Sequence, residues 1–291
     1  LRKYYNIIKF RKDYIKYIGD ISEEITSDVD AVLLGGDQIL YPSDLNRILS
    51  ITAKKHIIFT ASADWVRAQN SNEWKSLCKS ALKNIDAIGV REKVGVTLIN
   101  TLGFQAVHVA DPVMQLPVQK FINIAYKGII FQKPTLFCYI LNAKSKEDLG
   151  IYSFNSLARY FSVELKISGI QGSEYYIPYK NYISLCPSEF IKALIDAKYV
   201  ITNSYHGTVL AIMLHKPFIS LIQKETKDSD QNTRQQELLS WLGLEHHRIT
   251  LEEINEKAVN LLNDNIDWKI IDKEITLFNT FSRNWIKELL K

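Results

Sequence analysis

The sequence predicts an α/β fold of two doubly wound lobes, each a parallel sheet flanked by helices. Three observations carry this expectation. Short β-branched runs alternate with amphipathic stretches along most of the chain, which is the pattern of repeated βα units. The ends of these runs bear small and polar residues, as in Gly35-Gly36-Asp37, Ala63-Asp64, Arg91-Glu92 and Ala110-Asp111; ligands of open α/β sheets sit at the carboxyl ends of strands. The third is residues 199–221, YVITNSYHGTVLAIMLHKPFISL, where strand, polar corner, apolar helix and second strand make one βαβ unit.

Residues 1–28 read as helix, with Tyr4, Ile7, Ile8, Tyr14, Ile15 and Ile18 on the apolar face and Lys3, Lys9, Arg11, Lys12 and Lys16 on a solvated one. The chain opens on this basic, aromatic stretch with no strand ahead of it, so the N-terminal lobe is expected to lack its first strand. Residues 30–34, DAVLL, are a buried strand running into two glycines, which let backbone approach a ligand closely. Gly36, Asp37 and Gln38 are thereby expected in the crevice, although Asp37 is equally suited to capping the next turn. Residues 56–63 form the next strand, 71–84 a helix, and 87–90 a strand that delivers Arg91. A helix over 94–102 stops at Gly103, and a strand over 106–110 ends at Asp111, which reads as a turn residue before Pro112.

The pattern lapses between residues 112 and 134, where Pro112, Pro117 and Pro134 mark a boundary between lobes at 1–115 and 134–265. The second lobe reads as strand 135–141, helix 145–161, strand 163–168 and a loop over 169–182. Its Tyr175, Tyr176, Tyr179 and Tyr182 suit a sugar platform or packing on their own lobe. Strand 183–186 and helix 187–197, with proline in its first turn, lead to the central unit, whose helix is expected to open at Gly207. Helices follow over 233–242, closed by Gly243, and 251–262. Residues 266–291 read as a C-terminal helix crossing back.

Composition narrows the function classes. The chain is 46% hydrophobic and 23% charged, ordinary for a globular protein. No apolar run approaches the roughly 18–20 residues of a membrane span, and no signal peptide opens the sequence, so a cytoplasmic location is expected. Cys78, Cys138 and Cys186 are widely spaced and read as buried thiols in a reducing compartment. A net charge of +4 suits an anionic substrate or peripheral association with an acidic membrane surface. No basic stripe with interleaved aromatics argues for nucleic acid.

The corner of the central unit holds His206 among Asn203, Ser204, Tyr205, Gly207 and Thr208, which are expected to contact substrate. The start of the following helix favours an anion by roughly 0.3–1 kcal/mol per charge. His206 beside such a site suggests catalysis; by residue type alone it is equally a helix-terminal hydrogen-bond partner. His215 reads as a helix C-terminal residue, and His246 and His247 as a surface pair. No Cys/His spacing or carboxylate/His cluster suggests a metal.

Several segments, in a consistent order, resemble the polysaccharide pyruvyl transferase family. They are DAVLLGGDQIL from Asp30, FTASADW from Phe59, IGVREKVGVTLINTLGFQAVHVADPVM from Ile88, ITNSYHGTVLAIMLHKPF from Ile201 and TRQQELLSWLGL from Thr233. The resemblance implies two Rossmann-like lobes in a GT-B-like arrangement. It also implies transfer of an enolpyruvyl unit from phosphoenolpyruvate to a sugar of a surface polysaccharide, or its lipid-linked precursor, as a ketal. No cofactor beyond the donor substrate is implied, no metal is required, and the inner face of the membrane is the implied workplace.

For that chemistry His206 is the expected general acid. Arg91 is the expected bidentate contact to carboxylate or phosphate, with Arg234 or Lys216 contributing, and Asp37 would position the acceptor or remove its proton. One branch of the family carries S-R-L-H at the corner, with an arginine implied in donor binding. Here Ser204 and Tyr205 precede His206, as in a branch reading S-F-H-G, so that anchoring is not carried over. Two rivals stand beside this reading: a GT-B-like glycosyltransferase using a nucleotide sugar, and a non-catalytic family member.

Overall fold

A computed structural model of the chain describes residues 29–37, 39–40, 53–170, 172–223 and 232–291. The helix expected over 1–28 and the placement of Gln38 lie outside them. The chain divides into two compact units. One comprises Asp20–Gln115, Lys224–Glu237 and Lys269–Lys291; the other comprises Leu1–Gly19, Leu116–Gln223 and Leu238–Trp268.

The first unit is built on β1 (Ala31–Leu34), β2 (Lys55–Ala61), α1 (Trp65–Asn70), α2 (Asn72–Leu82), β3 (Ala87–Val90), α3 (Lys93–Thr101), β4 (Ala106–His108) and α4 (Pro112–Gln115). Its four described strands pair in parallel in the order β1-β2-β3-β4. Ile58, Ile88, Val90, Ile99, Trp65 and Trp74 fill the core. A Cβ on Gly95 would lie 2.4 Å from the Trp65 ring, so glycine is what lets α3 close on the indole. The short α1, capped by Asp64 accepting from the Arg67 amide, has too few turns for its periodicity to show in the sequence.

The second unit contains α5 (Val118–Ile124), β5 (Thr135–Leu141), α6 (Lys146–Leu149), α7 (Ile151–Tyr160), β6 (Glu164–Ile170), α8 (Pro187–Asp196), β7 (Tyr199–Thr202), α9 (Tyr205–Met213) and β8 (Phe218–Leu221). Then come α10 (Asn232–Trp241), within which the division between units falls, β9 (Arg248–Ile249), α11 (Ile254–Leu262) and α12 (Trp268–Leu289). The five strands are parallel in the order β6-β5-β7-β8-β9. Leu136, Phe137 and Cys138 of the interior strand β5 are fully buried, the continuous apolar run of a parallel strand covered on both faces. From β5 the chain goes to β6 on one side and returns to β7 on the other, so the order reverses between β5 and β7.

Helix α12 packs within the first unit. Its Ser282 hydroxyl accepts from the Ala110 amide at 2.8 Å, and Trp285 stacks on Phe59 with ring centroids 6.1 Å apart. A Cβ on Gly89 would meet Trp285 at 2.8 Å, so β3 is thinned where the indole lies.

Several local expectations are corrected. The helix read over 145–161 is broken at Gly150, whose φ of 79° ends α6 and starts α7. Residues 183–186 are not a strand: Tyr182 makes one isolated bridge with Ile167. The backbone then turns to cap α8, where Glu189 accepts from the Cys186 amide at 2.9 Å. Helix α9 opens at Tyr205 rather than Gly207, because Ser204 is its N-cap, and this puts Tyr205 and His206 on the first turn. His247 is not a surface residue but fully buried. Tyr175 and Tyr179 are exposed, whereas Tyr176 and Tyr182 pack on the core. All three cysteines are buried, and burial pushes the Cys78 thiol up to about 12. Among the described residues no helix is long and apolar enough to cross a membrane.

Candidate functional site

In the second unit the corner after β7 is built by short-range hydrogen bonds. The Thr202 hydroxyl donates to the Tyr139 carbonyl of β5 at 2.7 Å and accepts from the Ser204 amide at 3.0 Å. Asn203 uses its side-chain amide as an extra rung: its oxygen accepts from the Leu141 amide at 2.8 Å and its nitrogen donates to the Leu141 carbonyl at 2.9 Å. The carboxyl ends of β7 and β5 are thus tied where the strand order reverses, the switch point at which open α/β sheets bind ligands.

Ser204 caps α9 by accepting from the Gly207 amide at 3.3 Å. The Thr208 hydroxyl is fully buried, donating to the Ser204 carbonyl at 3.0 Å beside Ser220. A Cβ on Gly207 would stand 2.6 Å from the Thr202 hydroxyl, so the helix approaches the strand only through glycine. Asn203, Ser204, Gly207 and Thr208, read from the sequence as substrate contacts, are therefore what hold the corner in shape. Half-buried His206 stands on the first turn of α9 with the Tyr205 ring edge-on at 5.2 Å. There it shares the positive end of the helix dipole. Lys216 is committed elsewhere: its ammonium donates to the Ile195 carbonyl at 2.9 Å, and burial lowers its pKa.

In the first unit Arg91 leaves the carboxyl end of β3 with its side chain 1% exposed. Its Nε donates to Glu92 at 3.0 Å and its Nη1 to Asp111 at 2.5 Å, while Nη2 donates to Asp37. Arg234 donates to the same Asp37 oxygen at 2.6 Å. Glu92 also accepts from Ser62 and from the Trp65 indole, each at 2.8 Å. Burial pushes the Glu92 carboxyl up, against the opposing pull of Arg91 and of the bonds from Trp65 and Ser62. Arg91 is thus a clamp among carboxylates, and the bidentate contact expected of it is already used on the protein. Asp111, read as a turn residue, is its buried partner and also accepts from the Val113 amide at 2.8 Å.

Asp37 is the exposed member of the network, with 46% of its side chain accessible. It is presented by Gly36, at a φ of +140°, and by Gly35, where a Cβ would lie 2.5 Å from the Phe59 carbonyl. Glu237 was not foreseen. One turn beyond Arg234 on α10, its carboxylate accepts from the Lys93 and Val94 amides at 2.6 and 2.9 Å and so caps α3. The same helix buries Gln235 completely, with neither amide atom hydrogen-bonded among the described residues. No local sequence signal links residues 93 and 237; only the fold brings them together.

His108 on β4 donates from Nε2 to the Arg91 carbonyl at 3.2 Å and packs against Phe278. Burial is the largest cause lowering its pKa. The folded state therefore favours the neutral ring, and this contribution to stability is present above the unfolded value of about 6.5 and lost as pH falls below it. Urea denaturation at pH 7.5 and 5.5 is expected to show the wild type losing more stability than His108→Gln, by at most about 1.4 kcal/mol per pH unit. Equal losses would show that His108 does not titrate with folding.

Two parallel sheets flanked by helices, with polar corners at their strand ends, define the class of protein, and solved structures of that class are similar. The chain matches a putative UDP-N-acetylglucosamine 2-epimerase from Listeria monocytogenes at 11% identity and a TM-score of 0.59, covering 88% of this chain and 72% of that one. It matches the UDP-GlcNAc 2-epimerase from Neisseria meningitidis bound to UDP-GlcNAc at 11% identity and 0.56, over 90% and 76%. A Methanocaldococcus jannaschii UDP-GlcNAc 2-epimerase in complex with UDP-GlcNAc and UDP matches at 12% and 0.52, over 95% and 80%. At these identities the likeness is one of fold, the GT-B class. No curated protein sequence matches significantly.

The family profile for polysaccharide pyruvyl transferase matches residues 1–224, and the chain belongs to that family. The match includes Asp37, Arg91 and His206 and ends before Arg234 and Glu237.

Proposed function

We propose that the chain transfers the enolpyruvyl unit of phosphoenolpyruvate to two hydroxyls of one sugar, forming a pyruvate ketal on a polysaccharide or its lipid-linked precursor. The observation that carries this reading is His206 on the first turn of α9 at the β5/β7 switch point, in a chain of this family. An imidazole can hand over a ring proton and so suits a general acid, and the helix terminus suits the anionic donor. His206 delivers a proton to the methylene carbon of phosphoenolpyruvate, which becomes a methyl group. The adjacent carbon takes on oxocarbenium character and is attacked by the first sugar hydroxyl. Its bond to the phosphate oxygen then breaks, inorganic phosphate departs, and the second hydroxyl closes the ketal; each hydroxyl gives up one proton.

Asp37, half-exposed and fixed by Arg91 and Arg234, is assigned to positioning an acceptor hydroxyl. Arg91 positions Asp37 rather than gripping the donor, and Tyr205 orients the His206 ring. The reaction needs no metal or cofactor. The workplace this reading implies is the cytoplasm, at the inner face of the membrane where lipid-linked acceptors are assembled.

A nucleotide-sugar donor is the alternative, since solved structures of similar fold are described with UDP-GlcNAc bound. Calorimetric titration of the full-length chain separates the two. Saturable binding of phosphoenolpyruvate without a response to UDP-GlcNAc is expected. Binding of the nucleotide sugar with none of phosphoenolpyruvate would replace this reading by a glycosyltransferase one, and binding of neither would leave the non-catalytic reading standing.

A further inference from the structure

The second unit holds a side-chain cluster that the pyruvyl chemistry does not use. A 3-10 turn, Glu245–His247, feeds the edge strand β9, and Asp264 follows the C-terminal cap of α11 at Asn263. His246 Nε2 and His247 Nε2 lie 3.0 and 3.1 Å from the same Asp264 Oδ2. One ligand atom from each of the three residues lies within 4.8 Å of the others.

The tautomer of His247 follows from its surroundings. Its Nδ1 is 2.9 Å from the Phe218 carbonyl, which can only accept, so Nδ1 carries the proton. The ring is fully buried and stacked on Phe218, 19° from parallel, which fixes its orientation. In the neutral ring Nε2 then presents a bare lone pair to a carboxylate oxygen 3.1 Å away. Two acceptors face each other, and a shared cation resolves the conflict. His246 brings a second imidazole nitrogen to the same oxygen, which a single bridging proton would not require.

We propose that His246, His247 and Asp264 bind a divalent transition-metal ion, with Zn2+ the best fit to two imidazoles and one carboxylate. Zinc bonds to such donors are about 2.0–2.2 Å long, which sets tetrahedral ligand atoms about 3.3 Å apart. The two imidazole–carboxylate distances, 3.0 and 3.1 Å, need to lengthen by only tenths of an ångström. The bond from His247 Nδ1 to a backbone carbonyl is the outer contact that orients and polarises a metal-bound histidine. The side chains of His246 and Asp264 are 52% and 39% exposed, leaving an entry path and room for water as fourth ligand. The ion fastens the end of α11 to the entry of β9, a strand held to β8 by only two residue pairs, Ser220 with Arg248 and Leu221 with Ile249. It is a structural staple, independent of the pyruvyl-transfer reading.

The test uses the untagged full-length chain, stripped with chelator and titrated with ZnCl2 by calorimetry, with Co2+ absorption reporting the ligand geometry. One equivalent is expected to bind with micromolar or tighter affinity, to give a tetrahedral cobalt spectrum and to raise Tm. Asp264→Asn and His246→Ala, at positions exposed enough to leave the fold intact, are each expected to weaken binding by about tenfold or more and to remove the rise in Tm. Absence of stoichiometric zinc binding, or binding that both substitutions leave unchanged, would overturn the proposal and leave an ordinary imidazolium–carboxylate pair.

Discussion

Arg91→Ala is expected to cost the protein about 3–5 kcal/mol of stability, the scale of an uncompensated buried charge. The guanidinium is 1% exposed and contacts Glu92, Asp111 and Asp37; the first two carboxylates are 2% and 0% exposed. Removing the cation leaves both buried carboxylates without their principal partner, whereas a surface ion pair lost to water would cost at most about 1 kcal/mol. Urea denaturation measures the loss. Adding Glu92→Gln to Arg91→Ala is expected to restore part of it, since one buried charge is then gone. Arg91→Lys should fall between, because an ammonium cannot span three carboxylates as a planar fork does. Wild-type stability in Arg91→Ala would refute the clamp. The consequence for function is that lost donor binding in this variant cannot be read as a lost donor contact.

His206→Ala is expected to lower kcat for phosphate release from phosphoenolpyruvate by about 100- to 10,000-fold, the range of a positioned general acid. Stability should change by no more than about 1 kcal/mol, as for a half-buried side chain outside the core. The substitution leaves the hydrogen bonds that shape the corner in place, because those belong to Thr202, Asn203, Ser204 and Thr208. A general acid acts on the chemical step rather than on binding, so KM for phosphoenolpyruvate should change far less than kcat. An unchanged kcat with raised KM would make His206 a binding group and move the proton donor elsewhere.

The alternation of strands and helices was legible because parallel strands buried on both faces are written as apolar runs: 87–90 and 135–141 emerge with the bounds read from sequence. The family was legible too, since its segments are local and ordered, and the profile match confirms it. Partner identity was not. Asp111 looked like a turn before proline, and its burial beside Arg91 depends on β3 and β4 pairing in register. Glu237 caps a helix that starts 144 residues earlier. His246 and His247 looked like a surface pair because the backbone that buries one ring, at Phe218, lies 29 residues away.

The sequence by itself determined what a short window can encode: the βα alternation, the glycines and caps at strand ends, the corner around His206, and membership of the pyruvyl transferase family. Only the tertiary structure decided which side chains answer one another. It made Arg91 a buried clamp, Asn203 a rung between β5 and β7, and His246, His247 and Asp264 a cluster. Local preferences are set within a turn or a strand, whereas a buried charge or lone pair finds its partner only when segments distant in the chain are packed together and water is excluded from between them.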